Sequence, residues 1–327
     1  MDPLREVEKN PRSAGPPVAL FVYNRPESTA RVLDALGRQS VRPASVHVFS
    51  DGPRDGHDRG RVEAVRRLVG SVTWAPVRLT ARPGNVGAAV NIVRGLDDVF
   101  ASHDRAIVVE DDVLPASRFV ETLQLLLGRY HDEPSVFSVG AYPSLLAGAL
   151  SDYPFDAVVS PRFSVWGWAT WGDRWKAISP QLLDFRNPFA SADEVPETAG
   201  ADLRRAVTLI EARPGFYWDY PVALLCLHRH LVHVLTRGYL VANIGRSTGT
   251  HGGGTPADDE FCERHTAIQD TVPVRLPPPH LRADVCAAIH EYLDAAWAAT
   301  APTAKRASAS GTRLGRFVGR LFGRGGR

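Results

Sequence analysis

The chain predicts an α/β protein built on a mostly parallel, doubly wound sheet flanked by helices. Three observations carry that prediction. Short Val- and Ile-rich runs alternate with helix-length segments from residue 18 to residue 139. The run at 106–109 ends abruptly in Glu110, Asp111 and Asp112. The runs at 18–23 and 46–50 end in Asn24-Arg25-Pro26 and Asp51-Gly52-Pro53. In open α/β sheets, ligands bind outside the carboxyl ends of the strands. Three polar strand ends facing one crevice say more than any one alone.

The elements follow in order. Residues 1–16 read as a disordered lead. Residues 18–23 (VALFVY) form a first buried strand, and Ser28 is placed to cap a helix carrying Val32, Leu33 and Leu36. Residues 46–50 form a second strand, closed by a turn. Val62, Val65, Leu68 and Val69 then recur at helical spacing. Residues 77–80 are a third strand, and the loop 82–87 leads into a helix reaching about Phe100. Residues 105–109 are the fourth strand. Pro115 is expected to start a helix to about Tyr130, and 136–139 is a fifth strand.

From Tyr142 the alternation stops. Residues 142–200 are rich in Pro, Trp and Phe, with four tryptophans between 166 and 175. Trp side chains usually pack into a core; an aromatic surface for stacking on sugars is the other reading. Helices are expected at about 201–213 and 219–237, a short strand at 240–244, a glycine-rich loop at 245–254 and a closing helix at 281–299. The organisation read from this is a first half at 17–141 and a second half of the same domain at 142–300. A linker at 301–312 and a basic tail at 313–327 follow.

Charge and cysteines exclude several classes. Seven of the 38 Lys and Arg residues lie after Asp294, where no acid occurs, leaving 31 against 36 acids and a body of about −5. Such a body is no nucleic-acid binder. Three separated cysteines without a CxxC indicate neither a disulfide framework nor a zinc knuckle. No N-terminal signal and no membrane-length apolar run is visible, so a reducing cytoplasm is the expected setting. In the tail, Leu314, Phe317, Val318, Leu321 and Phe322 form one apolar stripe among arginines, interrupted by Gly315, Gly319 and Gly323. It reads as an interfacial anchor on an anionic membrane, against a disordered basic tail.

Several motifs carry chemistry, each beside a plainer reading. Clustered carboxylates repel unless a cation neutralises them, and hard oxygens suit Mg²⁺ or Mn²⁺; alternatively 110–112 is a solvated acidic turn. The segment Asn85-Val86-Gly87 to Asn91, with Arg82 before it, opens a helix after a strand. It suits a diphosphate or is an ordinary turn. It is neither a GxGxxG nor a GxxxxGK[ST] motif, which argues against NAD enzymes and P-loop NTPases. Asp51 either accepts from a ribose hydroxyl or base N–H, or closes a turn. Asp219, in Trp218-Asp219-Tyr220, is a helix-start acid or a general base. His251, in a glycine-rich loop, touches metal or phosphate, or is simply exposed. His228, His230 and His233 read as structural or surface residues.

Together these pieces, over 18–254, resemble the GT-A glycosyltransferases, especially the N-acetylglucosaminyltransferase I family and its bacterial relatives. Glu110-Asp111-Asp112 resembles the Glu-Asp-Asp form of that fold's DxD motif. The resemblance implies a GT-A (Rossmann-like) fold with an acceptor-side subregion. It implies Asp112 and His251 as metal residues, with Mn²⁺ or Mg²⁺ as cofactor, and Asp219 as catalytic base. It implies that Tyr23, Asn24, Arg25, Asp51, Arg82, Asn85, Asn91, Glu110, Asp111, Trp166 and Gly167 bind the donor. The family's animal enzymes carry two adjacent acids after the Trp, whereas Tyr220 and Pro221 follow Asp219 here. The implied activity is sugar transfer from a nucleotide-diphosphate sugar, a UDP-sugar, to a hydroxyl of a glycan or lipid-linked acceptor, with inversion. The setting would be cytoplasmic, peripheral on the inner membrane face. The rivals are a sugar-phosphate nucleotidyltransferase and a non-catalytic glycan-binding protein. The first wants a glycine-rich loop where Asn24-Arg25-Pro26 stands.

Overall fold

The computed structural model describes residues 14–143, 153–213, 215–245 and 270–300, with backbone alone at 198 and 292–300. His251, the linker and the basic tail lie outside the described residues.

The first half alternates as expected. Its elements are β1 (Val18–Val22), α1 (Pro26–Gly37), β2 (Val46–Ser50), α2 (Gly56–Gly70), β3 (Val77–Ala81), α3 (Ala88–Phe100) and β4 (Arg105–Glu110). β1 pairs in parallel with both β2 and β4, and β2 with β3. Successive side chains of a strand face opposite sides, and here both sides are buried. Val18, Leu20 and Val22 of β1 join one core with α1, α2 and residues of the later helix α4 (Phe119–Arg129). Ala19 and Phe21 join the other core, with α3. Helix α3 approaches the sheet at Gly95, where a Cβ would lie 2.6 Å from Phe21 and 2.9 Å from Phe49. Gly15, inside the expected lead, is already buried and bridges to Pro43.

The second half departs from the sequence reading. Pro115 ends a strand, β5 (Val113–Pro115), and α4 starts only at Phe119. β6 (Val136–Gly140) is the expected fifth run. Two strands were not legible: β7 (Ala157–Ser160) and β8 (Trp168–Trp171). After α5 (Gly172–Ile178) and α6 (Ala201–Ala212), the helix expected at 219–237 splits into α7 (Asp219–His228) and a strand, β9 (Val232–Thr236). The break is at His230, which has φ 56°; after it the Val-rich run takes a strand instead of prolonging the helix. β10 (Val241–Asn243) and α8 (Ala283–Thr300) follow.

The sheet order is β3-β2-β1-β4-β8-β6-β9-β7, and β5 pairs separately with β10. β8 runs antiparallel to β4 and β6, and β7 antiparallel to β9. The sheet is therefore mixed, as expected of a mostly parallel one with departures in the second half. The three histidines do not share a helix. His233 lies in β9, fully buried, with Nδ1 2.8 Å from Ser138 Oγ. Trp168, Trp171 and Trp175 are core, each no more than 2% exposed. The aromatic-surface reading fails for them; of the four, Trp166 alone stays half-buried.

Candidate active site

A cavity of about 490 Å³ opens where β1, β2 and β4 end. Each strand end delivers its residues by a different local device. After β1, Arg25 precedes Pro26, which restricts its backbone. Its carbonyl accepts from Thr29 N–H at 3.0 Å and from Thr29 Oγ1 at 2.7 Å. So held, Arg25 Nη1 donates to Asp111 Oδ1 at 3.1 Å and to Asp112 Oδ2 at 2.7 Å. The Tyr23 N–H donates to Asp111 Oδ2 at 3.0 Å. The Tyr23 hydroxyl turns away to Asp58, and burial, then that bond, pushes its pKa up to about 12.

At the end of β2, Asp51 is 5% exposed and its carboxylate gathers four donors. Oδ1 accepts from Gly52 N–H at 2.8 Å and Val86 N–H at 2.9 Å. Oδ2 accepts from Asn85 Nδ2 at 2.9 Å and Gly87 N–H at 3.1 Å. The backbone N–H groups that open α3 therefore already face an anion, one belonging to the chain itself. Gly52 allows this close turn, because a Cβ there would lie 2.3 Å from the Gly84 carbonyl carbon. Behind the loop, buried Asn91 donates to the Phe49 carbonyl at 3.1 Å and accepts from Arg82 Nε at 3.3 Å.

At the end of β4 the three acids separate in environment. Glu110 and Asp111 line the cavity with Asp112. Burial pushes the Glu110 pKa well above the ordinary range, helped by Asp112, Asp111 and Asp219, with Arg25 opposing. Burial also raises Asp111 to about 6; Arg25 and the Tyr23 N–H pull down, Asp112 pushes up. One guanidinium shared by two carboxylates does not compensate both. On Arg25 itself, burial is outweighed by Asp111 and Asp112, so its pKa rises. The Asp112 carbonyl accepts from Ile244 N–H at 2.8 Å, which docks the β5–β10 ribbon beside the acids. Gly245 approaches Asp112 closely there: a Cβ would lie 2.2 Å from Asp112 Oδ2.

The fourth carboxylate arrives from the second half. Trp218 stacks on buried Trp168, ring centroids 6.1 Å apart at 23°. That fixes the start of α7 and sets Asp219 in its first turn, lining the same cavity. Because β8 runs antiparallel to β4, its lead-in, Val165 to Gly167, lies at the carboxyl edge of the parallel strands. Val165 and Trp166 line the cavity there. Gly167 sits behind with φ 68°, where a Cβ would lie 2.7 Å from Val241.

The fold thus brings Tyr23, Arg25, Asp51, Asn85 and Asn91 to one cavity with Glu110, Asp111, Asp112, Trp166 and Asp219. It does not bring Asn24, which donates to Asp58 Oδ1 at 2.6 Å, nor Arg82 or Gly167. Sequence reasoning missed Arg54, whose guanidinium lies 5.3 Å from the Tyr23 ring centroid. Its place three residues beyond Asp51, just past a strand end, was the available signal. It also missed Asn243, although the strand that carries it was expected at 240–244, and the aromatic residues Phe216 and Tyr217.

The donor chemistry fits a hard divalent cation: carboxylate oxygens in excess of the one guanidinium that faces them. Among the described residues, no group of three or more His, Cys, Asp or Glu side chains could hold a metal unaided. A cation here needs oxygens from a ligand as well. Among the described residues no helix is long and apolar enough to cross a membrane.

No family model matches the sequence, and no curated protein matches it. Solved structures resemble the chain distantly. A fragment of TarS from S. aureus is 12% identical at a TM-score of 0.40, covering 69% of this chain. The chain spans 59% of that fragment. The mannosyltransferase PcManGT from Pyrobaculum calidifontis, solved with GDP-Man and Mn2+, is 15% identical at 0.36, covering 80% of this chain and 86% of its own. Mouse xyloside xylosyltransferase 1 is 13% identical at 0.31, over 53% and 76%.

Proposed function

We infer that the protein is a metal-dependent glycosyltransferase. It would move a sugar from a nucleotide-diphosphate sugar, a UDP-sugar, to an acceptor hydroxyl with inversion. One observation carries the reading: four carboxylates from β4 and α7 share a cavity with Arg25 at the carboxyl edge of the sheet. Raised proton affinities at Glu110 and Asp111 mean that the cavity favours added positive charge. A diphosphate carried with a divalent cation brings that charge and supplies the missing oxygen ligands.

Asp112, with Asp111, would hold the cation. When bound, Mn²⁺ or Mg²⁺ stabilises negative charge on the departing diphosphate. Arg25, paired with both carboxylates in the cavity wall, is placed to meet phosphate oxygens as well, a pairing for which guanidinium suits. Asp219 accepts the proton of the acceptor hydroxyl as its oxygen attacks the anomeric carbon. The new C–O bond forms on the face opposite the breaking one, and the nucleoside diphosphate leaves. Asp51 holds the loop 85–87 as a fixed floor on the donor side, so its part is positioning. His251 and the basic tail, lying outside the described residues, enter only as proposals for a second metal contact and for attachment to an anionic inner membrane face.

The test is release of nucleoside diphosphate. The full chain is incubated with UDP-glucose, UDP-galactose, UDP-N-acetylglucosamine and GDP-mannose, with and without Mn²⁺. Free nucleoside diphosphate, dependent on Mn²⁺, is expected from one of the UDP-sugars. Pyrophosphate instead would make the protein a nucleotidyltransferase. No product from any donor would leave a binding protein.

A further inference from the structure

The two edges of the sheet are finished differently. At one end of the strand order β7 is buried along its whole length, and Val158 packs with Val285 and Ile289 of α8. At the other end, among the described residues, β3 pairs with β2 alone, and Arg78, Leu79 and Ala81 stand exposed. Successive side chains of a strand point to opposite faces, so exposure of both Arg78 and Leu79 means that neither helix layer overhangs this edge. The outward backbone groups can be named. The Val46 N–H donates to the Pro76 carbonyl at 2.9 Å, and the Arg82 N–H to the Ser50 carbonyl at 2.9 Å. In a regular ladder, residues facing the partner strand alternate with residues facing away, and the β2–β3 register has no bulge. Arg78 and Thr80 therefore face β2, while Val77, Leu79 and Ala81 turn their N–H and carbonyl groups outward. Sheet edges are commonly guarded by a Pro, a bulge or a Lys; β3, reading VRLTA, has none of these. Arg78 is its one charge, and Leu79 at its centre is 38% exposed.

We propose that β3 pairs antiparallel with β3 of a second copy of this chain, across a two-fold axis at Leu79, so that the two sheets run on as one. Around that axis Leu79 lies opposite Leu79 of the second copy, Val77 opposite Ala81, and Arg78 opposite Thr80. Each couple of outward-facing residues exchanges both N–H···O bonds, the hydrogen-bonded pairing of an antiparallel ladder. No outward group from Val77 to Ala81 is left over. Parallel pairing offers no such closure, because its slanted bonds are not related by a two-fold. On one face the two Leu79 side chains meet and remove apolar surface from water. On the other, Arg78 faces a neutral Thr80, so like charges, which destabilise when directly opposite, are kept apart. The strand thus complements itself in backbone groups, apolar surface and charge, and this selects a second copy over an unrelated extended peptide. Because the paired strands oppose each other, the two cavities open at opposite edges of the joined sheet. The inference does not rest on the glycosyl-transfer reading.

The experiment is sedimentation velocity on the full chain over a range of concentrations. A five-residue ribbon makes a small interface, so the expected dimer is weak and reversible, with a dissociation constant of about 10–100 μM. Leu79→Lys sets a charge opposite its own copy at the axis and should weaken dimerisation at least about tenfold. Thr80→Glu sets an acid opposite Arg78 of the other copy and should strengthen it about threefold, as opposite charges across strands do. Urea denaturation of each variant reports that it folds as the natural chain does. The proposal is overturned if the chain stays monomeric up to about 500 μM, well above the weak end of such interfaces. It is also overturned if Leu79→Lys dimerises as the natural chain does, or if Thr80→Glu weakens the dimer, which would mean another surface or another register. Assembly beyond the dimer overturns it as well, because pairing at β3 leaves no second bare edge.

Discussion

The two halves of the sheet deliver functional groups in opposite ways. In the parallel half, β1, β2 and β4 all point the same way. Whatever follows each strand therefore reaches one edge, and Arg25, Asp51 and Asp112 arrive there by topology alone. In the mixed half, β8 and β7 run against their neighbours while β6 and β9 are parallel, so β8 contributes its beginning, and Asp219 comes from a helix start propped by aromatic stacking. The parallel half places charge by strand direction; the mixed half places it by core packing. Substitutions should therefore fail differently in the two halves.

The largest expected effect is at their meeting point. Asp219→Asn should lower turnover by about 10²–10⁴-fold, the contribution typical of a positioned general base, with donor binding retained. Loss of donor binding would move Asp219 to the donor side of the comparison. Next, Trp168→Ala should cost about 3–5 kcal/mol of stability, as large core truncations do, read by urea denaturation. Its ring supports Trp218 and so α7. The surviving folded fraction should consequently lose turnover before UDP binding; the reverse order would mean that packing in the mixed half also shapes the donor end. In the parallel half, Gly52→Ala drives a Cβ into the Gly84 backbone. It should cost about 1–3 kcal/mol, the usual range for overpacking, and weaken UDP binding.

The most gradual effect is a pH slope. Burial lowers the pKa of His233 to about 3, with Arg162 adding to the shift. A group whose folded pKa is depressed takes up its proton more readily when unfolded. Its contribution is fully present above about pH 6.5, the unfolded value, and is lost progressively as pH falls from there towards 3. The slope should approach about 1.4 kcal/mol per pH unit. His233→Gln should flatten it between pH 6.5 and 4, measured by urea denaturation at each pH; an unchanged slope would show that other groups carry it.

The same contrast explains what the sequence made legible. Buried parallel strands read as continuous Val and Ile runs, and their polar ends mark the edge, so Glu110 to Asp112 and Asp51 were visible as a site. The mixed half hid its plan. β8 is four residues of Trp, Ala and Thr whose nearest partner in the chain is Gly140, paired with Trp168, so nothing local fixes them as a strand. β5 has three residues and exists because it pairs with β10, itself expected as a strand at 240–244. Periodicity could not distinguish helix from strand at 229–237, where His230 breaks the run with a positive φ. Nor does an aromatic residue announce whether it will be buried, like Trp168, or exposed, like Phe216.

The end of β4 should bind a cation together with the donor diphosphate. Calorimetric titration of UDP into the full chain tests it most directly, with and without Mn²⁺, in the natural sequence and in Asp112→Ala. Binding should strengthen at least tenfold with Mn²⁺ in the natural sequence, and Asp112→Ala should erase that gain. Equal UDP affinity with and without Mn²⁺, or a gain that survives Asp112→Ala, would contradict the account.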